Sequence, residues 1–266
     1  MPHVDAGPYR LHYRRRGQGE PLLLIQGMSG HHLMWGEPFL TRLEDDFDIV
    51  AYDHRGIGHS ARVDEPFTIA DLAGDAAALM DAVGWSNAHV LGISMGGMVA
   101  QELVLRHQDR VRTLILGCTY AGGDGASLIA PGPQRMIEAM RTGNAELSVR
   151  TGFEVNVSRR FAGEAGNFEP FQTTALGAPA PVPVIMLQAQ AALEHDTSAR
   201  LPQITVPTLV IHGTEDEMVL AHNSELIAKL IPGARLELWE GVGHLFWWEQ
   251  PERTAALVRE HALGRG

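Results

Sequence analysis

Short, nearly unbroken apolar runs recur along the chain, each closed by glycine or a charged turn, with amphipathic stretches between them. "PLLLIQG" (residues 21–27), "FDIVAYDHRG" (47–56), "AHVLGIS" (88–94) and "VRTLILGCTY" (111–120) have the form of strands buried on both faces of a parallel sheet. "YRLHYRRRG" alternates in places and predicts an early edge strand. "TIADLAGDAAALMDAVG" places Thr68 and Asp71 in capping-box spacing at the head of a helical run that stops at Gly84. Four apolar strands separated by helical or loop segments imply right-handed crossovers and a mainly parallel sheet, an α/β fold.

The rhythm breaks after Tyr120. From residue 121 to about 201 no segment reads as a central strand; the helical candidate is residues 134–141, and in "VIMLQAQAALEH" Gln188, Gln190 and Glu194 read as the polar face of a helix. The βα alternation returns with "VPTLVIHG" (206–213), a helix near residues 221–230, the strand-like "ARLELWEG", and "PERTAALVREHA" with Pro251 at the first helical position. This organisation predicts one core formed by residues 1–120 and 202–266, flanking a short inserted lid, 121–201.

One apolar run is interrupted at regular places. In "HVLGISMGGMVAQELVLRH" (89–107), Gly92, Gly96 and Gly97 lie two before, two after and three after Ser94, between a predicted strand and a predicted helix. This is the setting of the G-x-S-x-G nucleophile elbow, which holds one hydroxyl out at a strand end. The alternative is that Ser94 only caps the helix. A serine needs a base, and the base needs a partner that fixes its tautomer and stabilises its cation. Asp216 in "VIHGTEDEMV" and His244 in "LWEGVGHLFW" follow in the chain order of this motif, each in a loop just past a strand. His31, His32, His54, His59 and His212 also lie near strand ends, and Asp124 is the rival acid. His212, inside an apolar run, reads as a packed, hydrogen-bonded residue. The oxyanion donors expected are the backbone N–H groups of Met95 and, in the loop after "LLLIQG", Met28.

Composition narrows the reading. A formal charge of −11 removes the basic footprint expected of a nucleic-acid or anionic-membrane partner. Cys118 is the sole cysteine, so neither an intrachain disulfide nor a thiolate cluster is expected. "MPHVDAGPYRLHYRRRG" lacks an apolar signal core and no apolar stretch reaches membrane-spanning length, so a cytoplasmic protein is expected. Dinucleotide, phosphate-loop and hydrolytic zinc motifs are missing, which predicts neither cofactor nor metal.

"QGMSG", "DHRGIGHS", "GISMGG", "VPTLVIHGTEDEMV" and "GVGHLFWWEQPE" together resemble the oxyanion, D-x-R-G-x-G-x-S, elbow, acid and histidine segments of the α/β-hydrolase superfamily, over nearly the whole chain. The short lid and "RLPQITVPTLVIHGTED" look like its enol-lactonase, aromatic-polyketide methylesterase and small carboxylesterase branches. Two departures stand out. Gln26 occupies the place of the usual histidine before the oxyanion glycine, and Leu245 follows His244 where the carbon–carbon bond hydrolases have tryptophan. A serine elbow disfavours the haloalkane dehalogenases and epoxide hydrolases, which use aspartate. The resemblance implies a serine hydrolase acting on a small to medium, largely apolar carboxylic ester or lactone. The candidate pocket residues are Gly27, His31, Trp35, Phe246 and Trp247. Alternatives are a carbon–carbon bond hydrolase of a diketone, a cofactor-free perhydrolase, and a non-catalytic ligand-binding protein on the same scaffold.

Overall fold

The computed structural model describes residues 2–7 and 9–264. Eight strands form one sheet: β1 His3–Ala6, β2 Tyr9–Gly17, β3 Glu20–Ile25, β4 Phe47–Tyr52, β5 Ala88–Ile93, β6 Val111–Gly117, β7 Thr208–Gly213 and β8 Arg235–Trp239. Their order is β1-β2-β4-β3-β5-β6-β7-β8, with the β1/β2 and β2/β4 pairs antiparallel and the rest parallel. The expected edge strand is second from the edge. The short β1, in which Ala6 is the only buried residue, covers it. Chain direction across the sheet reverses at β3, which lies between β4 and β5, and the crevice beyond such a switch point is where open α/β sheets bind ligands. Ile25 pairs with Gly92, so the loop after β3 and the turn after β5 begin side by side.

The outer helices are α1 Glu37–Leu40, α2 Ile69–Ala82 and α3 Met95–Arg106, followed after the insert by α9 His222–Leu230, α10 Phe246–Glu249 and α11 Pro251–Leu263. One face of the sheet packs with α2, α3 and α9, and the other with α1, α10 and α11. Along β5, Ala88 and Val90 face the first core and Leu91 and Ile93 the second, which is why the strand reads as an unbroken apolar run. The capping box of α2 is complete. Thr68 Oγ1 accepts from the Asp71 amide at 3.1 Å, and Asp71 Oδ2 accepts from the Thr68 amide at 2.8 Å.

The insert between β6 and β7 is helical: α4 Pro131–Arg141, α5 Ala145–Asn156, α6 Arg159–Gly163, α7 Phe168–Gly177 and α8 Val182–Leu193. The sequence pointed to α4 and to the polar face of α8. The helices of the insert bury few residues each, and Ile129, Met186 and Leu193 lie exposed in or beside them, so apolar side chains do not mark a single inner face. Among the described residues no single helix is long and apolar enough to cross a membrane, although α7 and α8 together are, with a bend of 100° between them.

Buried histidines give this fold a specific acid sensitivity. Burial holds His12, His54, His89 and His195 down at about 4, from an ordinary 6.5. As pH falls below 6.5, the unfolded chain takes up protons that the folded protein refuses, so this stability is whole above 6.5 and is lost toward 4. The expected result is a Tm that climbs with pH between about 4.5 and 6.5 and levels off above. Calorimetric melts across that range check it, and a flat Tm would contradict it.

Candidate active site

Ser94 sits between β5 and α3 with φ 53° and ψ −125°, a region that an L-residue occupies only when its surroundings fix it. Those surroundings are backbone and one threonine hydroxyl. The Ser94 amide donates to Gly117 O at 2.8 Å, and its carbonyl accepts from Thr119 Oγ1 at 2.6 Å. A Cβ on Gly96 would lie 2.2 Å from Ile25 O and 2.4 Å from Gln26 O, so only glycine lets α3 start this close to the end of β3. A Cβ on Gly27 would approach Ser94 Cβ to 2.9 Å, which puts the loop after β3 directly beside the serine.

Two backbone amides are available there. Met95 is the first residue of α3, where an N–H has no intrahelical acceptor. In the loop, the Gly27 amide turns to Gln26 Oε1, Ser29 to Gln188 Oε1 and Gly30 to Gly27 O; Met28, between them, is taken up by none of these bonds.

The acid and histidine loops are locked to each other. A Cβ on Gly213 would lie 2.2 Å from Val242 O, and the Glu215 amide donates to the same carbonyl at 2.9 Å. His244 Nδ1 donates to Asp216 Oδ2 at 2.6 Å. Asp216 Oδ1 accepts from the amides of Met218 at 2.7 Å and Val219 at 2.9 Å. Burial alone would raise this carboxyl, but the charge of His244 and hydrogen bonds from His212 and His244 outweigh it and hold it well below the usual carboxylate range. Asp124 is exposed in the first turn of the insert and takes no part in this network.

His212, expected only to pack, also faces the acid. Its Nε2 lies 2.7 Å from Val219 O and 3.1 Å from Asp216 Oδ2 while Nδ1 faces Ser224 Oγ at 2.6 Å, so Nε2 carries the proton and Nδ1 accepts. Glu249 is a second residue the sequence reading passed over. Its carboxylate accepts from the Gly243 amide at 2.7 Å and from the Ser158 amide and hydroxyl at 2.8 and 2.5 Å, tying the loop of His244 to the insert. The Leu245 amide bonds Asn156 O at 2.7 Å on the same side. His212 and Glu249 stand inside the acid and histidine segments, but their roles depend on partners that the fold brings up, Ser224 for His212 and Ser158 for Glu249.

The expectation that Trp35, Phe246 and Trp247 line the substrate pocket is corrected. All three are fully buried in the core between the sheet and the α1 and α11 helices: the Trp35 and Trp247 rings are 5.2 Å apart, and Phe246 closes on the Cα of Gly117 beside Ile93. His31 is also buried, its Nε2 donating to Thr174 O in α7 at 3.2 Å. A cavity of about 590 Å³ lies between β2, β4, α1 and α7, with Arg14, His32, Glu169 and Trp248 on its wall; Ser94, Asp216 and His244 are not on that wall.

Two clusters bring potential metal ligands within 4.8 Å of one another: His12, His32 and Asp53, and Cys118, His212 and Asp216. In the first, the Asp53 carboxylate already accepts four hydrogen bonds, from His12 Nδ1 at 3.1 Å, His32 Nδ1 at 2.8 Å, the His32 amide at 2.7 Å and the His59 amide at 3.0 Å. In the second, Asp216 and both nitrogens of His212 are committed as described. Hydrogen bonding accounts for both groups without an ion. Arg55, the other charged residue of "DHRGIGHS", forms a two-pronged ion pair with Asp75 at 2.8 and 2.7 Å and lies 4.1 Å over the Tyr9 ring.

A sequence profile of the alpha/beta hydrolase fold family matches residues 20–251. The chain belongs to this family. Among its members, RutD of Azorhizobium caulinodans, provisionally assigned as a carbamate hydrolase, is 30% identical over 263 residues, covering 92% of each chain. The enol-lactonase of Burkholderia xenovorans superposes with a TM-score of 0.84 at 25% identity over 98% of this chain and 99% of its own. A thermophilic esterase of Thermogutta terrifontis gives 0.79 at 27% identity over 98% and 97%. The hydrolase fold, with its helical insert between β6 and β7, is therefore both the architecture seen and the one the motifs imply.

Proposed function

We propose that this hydrolase cleaves small to medium, largely apolar carboxylic esters or lactones through an acyl-enzyme on Ser94. The observation that carries the reading is the Asp216 to His244 hydrogen bond of 2.6 Å, made by an acid whose other oxygen is held by two amides. Because Nδ1 of His244 carries the proton given to Asp216, Nε2 is the basic nitrogen and accepts the Ser94 proton as Oγ attacks the ester carbonyl. The carbonyl oxygen becomes an oxyanion held by the Met28 and Met95 amides. Collapse breaks the bond to the alcohol oxygen, which takes the proton from His244. Water, deprotonated by the same nitrogen, then releases the acid and restores Ser94. Residues 121–201 act as the lid, and residues 1–120 and 202–266 as the catalytic core. A cytoplasmic location fits a chain whose single, buried cysteine forms no intrachain disulfide.

Ester cleavage is favoured over carbon–carbon cleavage by the parts present. Two amides and a proton donor suffice for an alkoxide leaving group, whereas a carbanion needs further polar groups, and Leu245 follows His244 where the carbon–carbon bond hydrolases have tryptophan. The test compares kcat/KM for short-chain p-nitrophenyl esters, simple lactones, a carbamate ester and a ring-fission diketone. The ester or lactone is expected to exceed the diketone at least tenfold, about 1.4 kcal/mol of transition-state preference. A tenfold preference for the diketone would overturn the reading.

A further inference from the structure

We propose that Gln188 of the lid helix α8 is a positioning residue that sets the oxyanion loop from above; the proposal rests on acyl transfer at Ser94. The loop after β3 is anchored well at its start. Gly96 closes on the carbonyls of Ile25 and Gln26, and His54 Nε2 donates to Gln26 O at 2.9 Å. Between Gly27 and His31 the core gives it little. The turn makes one bond of its own, Gly30 N to Gly27 O at 3.2 Å; the His31 carbonyl accepts from Met34 N at 2.9 Å and the following His32 is anchored on Asp53, while two further ties, at the Ser29 amide and the His31 ring, run to the lid. The Ser29 amide donates to Gln188 Oε1 at 2.9 Å across 159 positions of sequence, and His31 Nε2 donates to Thr174 O in α7.

Ser29 directly follows Met28 and has φ 60°, one of three non-glycine residues at positive φ among the described residues. Such a conformation persists only where partners over-determine it. The partner on the Ser29 amide is Gln188, whose side chain is completely buried. Its Oε1 faces the amide donor, so its Nε2 is the atom that lacks a hydrogen bond among the described residues, and the bond to Ser29 fixes which way the amide points. With the Ser29 peptide plane fixed on one side of Met28 and the Gly27 to Ser94 contact on the other, the Met28 N–H is held where the oxyanion forms. An oxyanion donor earns its effect from being held before the charge appears. The lid thereby governs the chemical step as well as covering the substrate.

The test uses the full-length protein with Gln188→Met, which removes the acceptor at similar length, and Gln188→Glu, which keeps an oxygen for Ser29. The expected result for Gln188→Met is a fall in kcat of about ten- to a hundredfold, somewhat less than loss of an oxyanion donor outright. KM should stay within about twofold, and affinity for a trifluoromethyl ketone, which mimics the oxyanion, should fall in parallel with kcat/KM. Gln188→Glu is expected to recover most of kcat. In wild-type protein, hydrogen exchange should find the Ser29 amide protected. An unprotected Ser29 amide, or a Gln188→Met variant with wild-type kcat and ketone affinity, would overturn the proposal. So would a raised KM at unchanged kcat in both variants, which would make the amide a substrate contact. Failure of wild-type protein to turn over esters or to react with a fluorophosphonate would sink the hydrolase reading instead, and the exchange measurement still decides whether Gln188 holds the loop.

Discussion

Ser94→Ala is expected to lower kcat by about 10⁶, to the level of a mock purification, while the protein remains folded. The size follows from the proposed role: without Oγ no acyl-enzyme forms, and the oxyanion amides alone retain only a residual rate. The intact fold follows from the local structure. What builds the elbow is backbone: the Ser94 amide on Gly117 O, its carbonyl on Thr119, and the glycine contacts of Gly27 and Gly96. Alanine keeps all of these and carries no greater steric burden at φ 53° than serine does. Circular dichroism and a melting curve matched to wild type, with a p-nitrophenyl ester assay on both proteins, provide the check. Esterase activity clearly above the mock purification would remove Ser94 from the nucleophile's role.

What the sequence made legible was local or repeated. The Thr68 and Asp71 box is legible because its partners are three positions apart, and the central strands because residues buried on both faces leave no polar alternation. The elbow was readable because tight backbone contacts demand glycine at particular offsets from Ser94. Contacts between distant segments were not. Gln188 and Gln190 read alike as the polar face of a helix, yet Gln190 bonds Glu194 on the exposed side at 3.0 Å while Gln188 is fully buried on Ser29. His212 looked like a packed strand residue because strand periodicity says which face a side chain takes and nothing of what lies beyond the strand's end. Trp35 and Trp247 looked like pocket residues because both adjoin candidate-site loops in sequence, and only the packing of α10 against the turn formed by residues 32–35 turns them into the core.

Asp216→Asn is expected to lower turnover by about 10⁴, with Asp124→Asn close to normal. Four hydrogen-bond donors converge on Asp216, and asparagine cannot accept from all of them. Oδ1 accepts from two backbone amides, so the asparagine oxygen is drawn to that side and its NH₂ takes the place of Oδ2. There it would confront His244 Nδ1–H and His212 Nε2–H, donor against donor. His212 is held in its tautomer by Val219 O and Ser224, so His244 is the ring that must change. It would move its proton to Nε2, and the nitrogen proposed to take the Ser94 proton would cease to be a base. The imidazolium formed during attack also loses its buried counter-charge. A depressed carboxyl contributes stability that is present above its unfolded value of 3.8 and is lost as pH falls through its lower folded value, so the variant should also melt below wild type at neutral pH. Asp124, exposed at the start of the insert, meets none of these demands. Measuring kcat for both asparagine variants on one ester separates the two acids: a nearly normal Asp216→Asn beside a crippled Asp124→Asn would transfer the acid's role to Asp124 and require the lid to carry it to His244 during turnover.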